Sequence, residues 1–69
     1  MNLPEAIKEI MTENGLSYYR LANIMGLSLS TVTRSIGKNA NPTISTLERY
    51  AKYMRIKVSD IIIRAEQYD

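Results

Sequence analysis

The sequence predicts an all-α protein, one small domain of five short helices. Three observations carry this. Apolar residues recur at helical spacing in successive blocks, as in Leu3, Ile7, Ile10 and Met11. Residues that favour helix starts (Asn2, Ser17, either Ser28 or Ser30, Thr43 and Ser59) stand just before these blocks. Residues that favour helix ends (Asn14-Gly15, Gly26, and the Gly37–Pro42 segment) stand just after them. The 69 residues suffice for one domain with a modest core. Residues 1–65 are expected to form that domain, with 66–69 as a short C-terminal tail frayed from about Glu66.

The first helix is expected from about Leu3 to Glu13. Asn2 can cap it, and Glu5 stands three residues on, in capping-box spacing. Pro4 is tolerated in a first turn. Lys8 and three glutamates lie off the apolar face, and Asn14-Gly15 ends the helix.

The second and third helices, about Ser17 to Met25 and Ser28 to Ile36, are separated by Gly26-Leu27. Leu21, Ala22 and Met25 give one apolar face. Gly26 supplies the positive φ that a tight turn needs, and Leu27 can plug the gap between the helices. Ala22 is small where two helices cross closely, leaving room for the approach. The spacing describes a steep helix-turn-helix. Arg20 stands where a Glu would complete a capping box with Ser17, so a cation sits at the positive end of a helix dipole.

On the third helix, Val32 points inward. At 100° per residue, Ser30 and Arg34 point outward together, flanked by Thr31 and Thr33. Leu29 either faces outward or joins Val32 and Ile36 in an apolar stripe; its expected place is the partly buried rim.

The fourth helix is expected from about Ile44 to Met54, capped by Thr43, burying Ile44, Leu47, Tyr50, Ala51 and Met54. Arg49, Lys52 and Arg55 fall on one side of its wheel, and Tyr53 lies outside the buried stripe. The last helix, capped by Ser59, is expected from about Asp60 to Ala65. Ile61, Ile62 and Ile63 cannot all face the core, so one of them is a candidate dimer contact.

The run LANIMGLSLSTVTR…NANPTISTL resembles the phage-repressor and Cro type of helix-turn-helix regulator. Leu21, Ala22, Gly26, Ser28, Ser30, Thr31, Val32, Arg34, Asn41 and Pro42 carry the resemblance, which spans about Leu3 to Ile62. It implies a compact five-helix, lambda-repressor-like DNA-binding domain in which helices 2 and 3 form the helix-turn-helix. It also implies that the third helix enters the major groove of double-stranded DNA. Ser28, Leu29, Ser30, Thr31, Thr33 and Arg34 are then the base-reading candidates. Arg34 can fork onto a guanine, or clamp a phosphate without reading sequence, and Leu29, if it faces outward, can meet a thymine methyl. Ser17, Tyr18, Lys38, Asn39 and Asn41 are the phosphate candidates; Tyr18 can instead pack against the core. The chain departs from the family at Ser35, where an apolar core residue is usual, and at Ile36, where a polar one is. The third helix is therefore expected to end rotated or short.

Charge agrees with a polyanionic partner. The net charge is only +2, yet residues 14–57 hold Arg20, Arg34, Lys38, Arg49, Lys52, Arg55 and Lys57 against Glu48 alone. Both ends are acidic. A basic middle favours duplex DNA through counterion release. With no Cys and no His, no metal site, activated nucleophile or cofactor is expected, and an enzyme is disfavoured. The longest apolar run, Ile61–Ile63, is too short to span a membrane, and MNLPEAIKEI lacks the pattern of a secretion signal. The expectation is a cytoplasmic, prokaryotic or phage transcriptional repressor. The alternatives are an antitoxin-type regulator that binds a toxin partner and a protein-interaction module that has lost DNA.

Overall fold

The computed structural model describes residues 1–37 and 40–68. Among these the chain forms five helices and no strand: α1 (Leu3–Glu13), α2 (Tyr18–Met25), α3 (Leu29–Ser35), α4 (Ile44–Met54) and α5 (Val58–Glu66). Helix α1 packs on α5, α2 packs on α3, and α4 bridges α5 and α2. The core draws on all five: Ile7 and Met11, Leu21 and Ala22, Val32, Leu47 and Tyr50, and Ile61. Among the described residues no polar or charged side chain other than the Tyr50 hydroxyl is buried, so apolar burial supplies the driving force.

The helix starts follow local chemistry. Asn2 Oδ1 accepts the Glu5 N–H at 3.2 Å, and Thr43 Oγ1 accepts the Thr46 N–H at 3.3 Å. The Asn2 N–H does not return to Glu5, as a capping box would have it; it donates to the Ala65 carbonyl at 3.1 Å. That bond ties the start of α1 to the end of α5.

Three expectations need correction. Helix α5 starts at Val58, not Asp60, and Ser59 is not its cap. The Asp60 carboxylate takes the Lys57 N–H at 2.9 Å, and Val58 packs against the core, so the helix begins two residues earlier. Ile44 is not in the buried stripe of α4. It is 62% exposed at the first helical position, beyond the edge of the core. Periodicity shows which face is apolar but not how far along the helix the core extends. Third, the chain does not fray at Glu66, which is helical; Tyr68 is half-buried and its hydroxyl donates to Glu9 Oε2.

Arg64 completes this α1–α5 clamp. Its Nη1 pairs with Glu9 and, at 2.6 Å, with Glu13 Oε2, while Nη2 reaches Glu13 Oε1 at 3.1 Å. The Arg64 hydrogen bond, ahead of its charge, holds the Glu13 carboxyl below its ordinary value of 4.5, and the same bonds push Arg64 up. A carboxyl depressed in the folded state adds stability that is complete above the unfolded pKa. That stability is lost as pH falls through the folded one. The thermal midpoint should therefore drop as pH falls below about 4.5. Arg64→Gln should flatten that acid-side drop and change the neutral-pH midpoint little, because the pair is solvent-screened. Thermal unfolding of both proteins between about pH 3 and pH 7 checks this; parallel acid profiles would rule the clamp out as the source.

Candidate nucleic-acid interface

The helix-turn-helix is built by its sequence. Ser17 Oγ accepts the Arg20 N–H at 3.1 Å and starts α2. Leu21, Ala22 and Met25 bury the inner face. Gly26 ends the helix at φ +69°, a left-handed conformation that costs a side-chain-bearing residue about 1–2 kcal/mol. The Leu27 N–H then reaches back to the Ala22 carbonyl at 2.9 Å, and the Leu27 side chain packs against the core. One residue later Ser28 starts α3, its Oγ accepting the Thr31 N–H at 3.2 Å. The turn is thus three residues long, Gly26 to Ser28, and closed by hydrogen bonds at both ends, which fixes how α3 leaves α2.

Helix α3 buries only Val32 within its own bounds. Arg34 is exposed, and among the described residues no carboxylate pairs with it. Ser30 and Ser28 are exposed, and Thr31 and Thr33 are half-buried. Their hydroxyls are partly engaged: Ser28 Oγ and Thr31 Oγ1 lie 2.7 Å apart, and Thr33 Oγ1 donates to carbonyls of its own helix, Leu29 and Ser30 lying at 3.1 Å. Leu29 is 45% exposed, so the expected rim position is corrected outward and it does not join a buried stripe with Val32 and Ile36. At 100° per residue it lies on the Thr33 flank of α3, opposite the flank that carries Ser35.

Among the phosphate candidates, Ser17 is exposed at the start of α2. Tyr18 beside it is half-buried and packs against the core, whereas Tyr19 is exposed. Asn41 is exposed ahead of α4. Lys38 and Asn39 lie outside the described residues. Arg34, Asn41, Thr43 and Thr46 line a shallow concavity of about 260 Å³ between the end of α3 and the start of α4. The first N–H groups of α4 point along its axis toward that end, where the helix dipole favours an anion.

The end of α3 resolves the departure at Ser35 and Ile36. The helix stops at Ser35, and Ile36, one residue beyond, is fully buried. Ser35 turns to the other neighbour: its Oγ donates to the Val32 carbonyl at 2.9 Å and is hydrogen-bonded to the Tyr50 hydroxyl on α4. Burial raises the Tyr50 pKa. Thr46 was missed by sequence reasoning, although it stands three residues after the Thr43 cap, the spacing that puts both on one side of α4.

A family model described as the Cro/C1-type HTH DNA-binding domain matches residues 6–67. The chain belongs to that family. No curated protein and no solved structure matches it at a significant level. As a Cro/C1-type domain it is a DNA-binding module of a regulatory, non-enzymatic family, and its five-helix all-α architecture is the one the family resemblance implied. The match runs from the end of the first turn of α1 to the residue after α5, so Glu9, Glu13 and Arg64 of the α1–α5 clamp fall inside it and Asn2 and Tyr68 just outside.

Proposed function

We propose that this chain binds double-stranded DNA in a sequence-specific way and acts as a small prokaryotic or phage transcriptional repressor in the cytoplasm. The observation that carries the reading is Arg34. It is exposed, lacks a carboxylate partner among the described residues, and sits on the outer side of the second helix of the turn beside the start of α4. With α3 in the major groove, Arg34 reads a guanine through its fork. Leu29, Ser28, Ser30, Thr31 and Thr33 line the rest of that surface, the hydroxyls as weak readers. Ser17, Tyr18 and Asn41 take phosphates on either side, with Lys38 and Asn39 in the same role. Such domains pair on half-sites one turn apart. Ile63, 57% exposed on α5, is the contact we assign to a twofold homodimer.

Fluorescence anisotropy of a labelled mixed-sequence duplex, titrated across a salt series, tests the reading. About four to five neutralised phosphates give a log–log slope near −4, so affinity should fall about 10²- to 10³-fold between 50 and 200 mM salt. Absence of binding even at low salt would overturn it.

A further inference from the structure

We propose that Tyr50 and Ser35 form a positioning pair that sets the rotation of α3 and thereby the sequence specificity of DNA binding. The inference rests on the DNA-binding reading above and deepens it: neither residue touches DNA, and both act through Arg34. Helix α3 has seven residues and one buried side chain within its bounds, Val32, with Ile36 buried just beyond its end, so two apolar anchors hold it and a polar contact at Ser35 adds to a small set of constraints on its rotation. Its start is pinned through the three-residue turn to α2. Its end is held to α4 through side chains, and among the described residues the direct polar link is the Ser35–Tyr50 hydrogen bond.

The direction of that bond follows from the partners. Ser35 Oγ gives its proton to the Val32 carbonyl, so it can only accept from Tyr50, and the Tyr50 hydroxyl is the donor. Tyr50 is itself rigid. Its ring is 1% exposed in the core beside Leu47 and Ala51, so the hydroxyl is a fixed point in space. A phenol is protonated at neutral pH, as a donor must be. Arg34 is the residue before Ser35. A side-chain tip about 6 Å from the helix axis moves about 2 Å when the helix turns by about 20°. That displacement exceeds the distance tolerance of a bidentate hydrogen bond. Losing the bond should therefore degrade base reading far more than phosphate contact, because long flexible cations tolerate small shifts.

The test compares two affinities in each of four proteins: wild type, Tyr50→Phe, Ser35→Ala and the double variant. One duplex is the site that wild type selects from a random pool; the other is a mixed-sequence duplex. Tyr50→Phe is the gentle variant, since Ser35 keeps its bond to Val32 and the ring still fills the core. Tyr50→Phe is expected to lower the ratio of selected-site to mixed-duplex affinity about 5- to 20-fold, with mixed-duplex affinity within about twofold of wild type. The double variant should be no worse than Tyr50→Phe by more than about twofold, as coupled partners behave. Ser35→Thr, which keeps the hydroxyl, should restore the wild-type ratio. An unchanged ratio in Tyr50→Phe, or losses that multiply in the double variant, would overturn the pair while leaving the DNA reading intact. If wild type selects no site at all, the DNA reading fails and the pair falls with it. If Tyr50→Phe melts far below wild type, the ratio for Ser35→Ala alone decides, and an unchanged ratio there overturns the proposal.

Discussion

Arg34→Ala should weaken binding to the selected site about 5- to 150-fold, the range of one bidentate guanine contact worth about 1–3 kcal/mol. The loss should be concentrated at one position of the site, where the preference for guanine disappears. On a mixed-sequence duplex the loss should be smaller, no more than the removal of one cation gives. Arg34→Lys separates charge from shape. Lysine keeps the charge and loses the planar fork, so it should recover mixed-duplex binding but not the guanine preference. The competing role is a phosphate clamp. In that case Arg34→Ala would weaken all sequences equally, lower the magnitude of the salt slope by about one, and be rescued by Lys. Anisotropy titrations of both variants on both duplexes, at two salt concentrations, distinguish the outcomes. Arg34 is exposed on a helix whose hydroxyls are largely engaged with one another and with the backbone, which leaves the guanidinium as the strongest free donor set on that face, and the two variants decide whether a guanine or a phosphate takes it.

The parts of the molecule legible in the sequence are those that depend on neighbouring residues. The caps at Asn2, Ser17, Ser28 and Thr43 and the left-handed Gly26 are local, and the structure forms each as the residues dictate. The start of α5 was misread for the same kind of reason. Ser59 has the chemistry of a cap, but the Asp60 carboxylate reaches back to the Lys57 N–H and wins. What the sequence did not show depends on distant partners. Periodicity assigned Ile44 to the core because it cannot say where α4 leaves its neighbours. Nothing local links Ser35 to Tyr50, fifteen residues on, or Tyr68 and Arg64 to Glu9. The site was legible to a similar extent. The outward direction of Ser30 and Arg34 follows from helical geometry, but the concavity that joins Arg34 to Asn41 and Thr46 exists only once α4 is docked.

Ile36→Ala carries the largest stability effect we expect. Ile36 is fully buried at the end of α3, so its truncation loses transfer free energy and leaves a cavity, together about 2–5 kcal/mol. A domain of this size is stable by about 3–10 kcal/mol in all. The thermal midpoint should therefore fall by about 8–40 °C, at roughly 4–8 °C per kcal/mol, and a domain at the low end of stability would be unfolded at ambient temperature. Two companions calibrate the result. Ile36→Val removes one methylene and should cost about 0.5–1.5 kcal/mol. Ile63→Ala, at an exposed position, should stay within about 0.5 kcal/mol of wild type when the protein is monomeric. Thermal unfolding followed by far-UV circular dichroism, at low protein concentration, measures all three. A small shift for Ile36→Ala, comparable to that of Ile63→Ala, would mean that the site is not part of the core. The prediction also tests how this chain handles its departure from the family pattern. If the core position had moved only in sequence and not in space, a shorter α3 would let Ile36 fold inward to the place the preceding residue usually fills, leaving Ser35 free to meet Tyr50. That exchange accounts for a polar residue at the end of α3 without a buried orphan: among the described residues no buried side-chain polar atom lacks a partner. On this account Ile36 supplies the stability of the corner, and the Ser35–Tyr50 bond supplies its orientation. Ile36→Ala should then lower the midpoint strongly, whereas Tyr50→Phe should lower it by only a few degrees, consistent with a hydrogen bond worth about 1 kcal/mol.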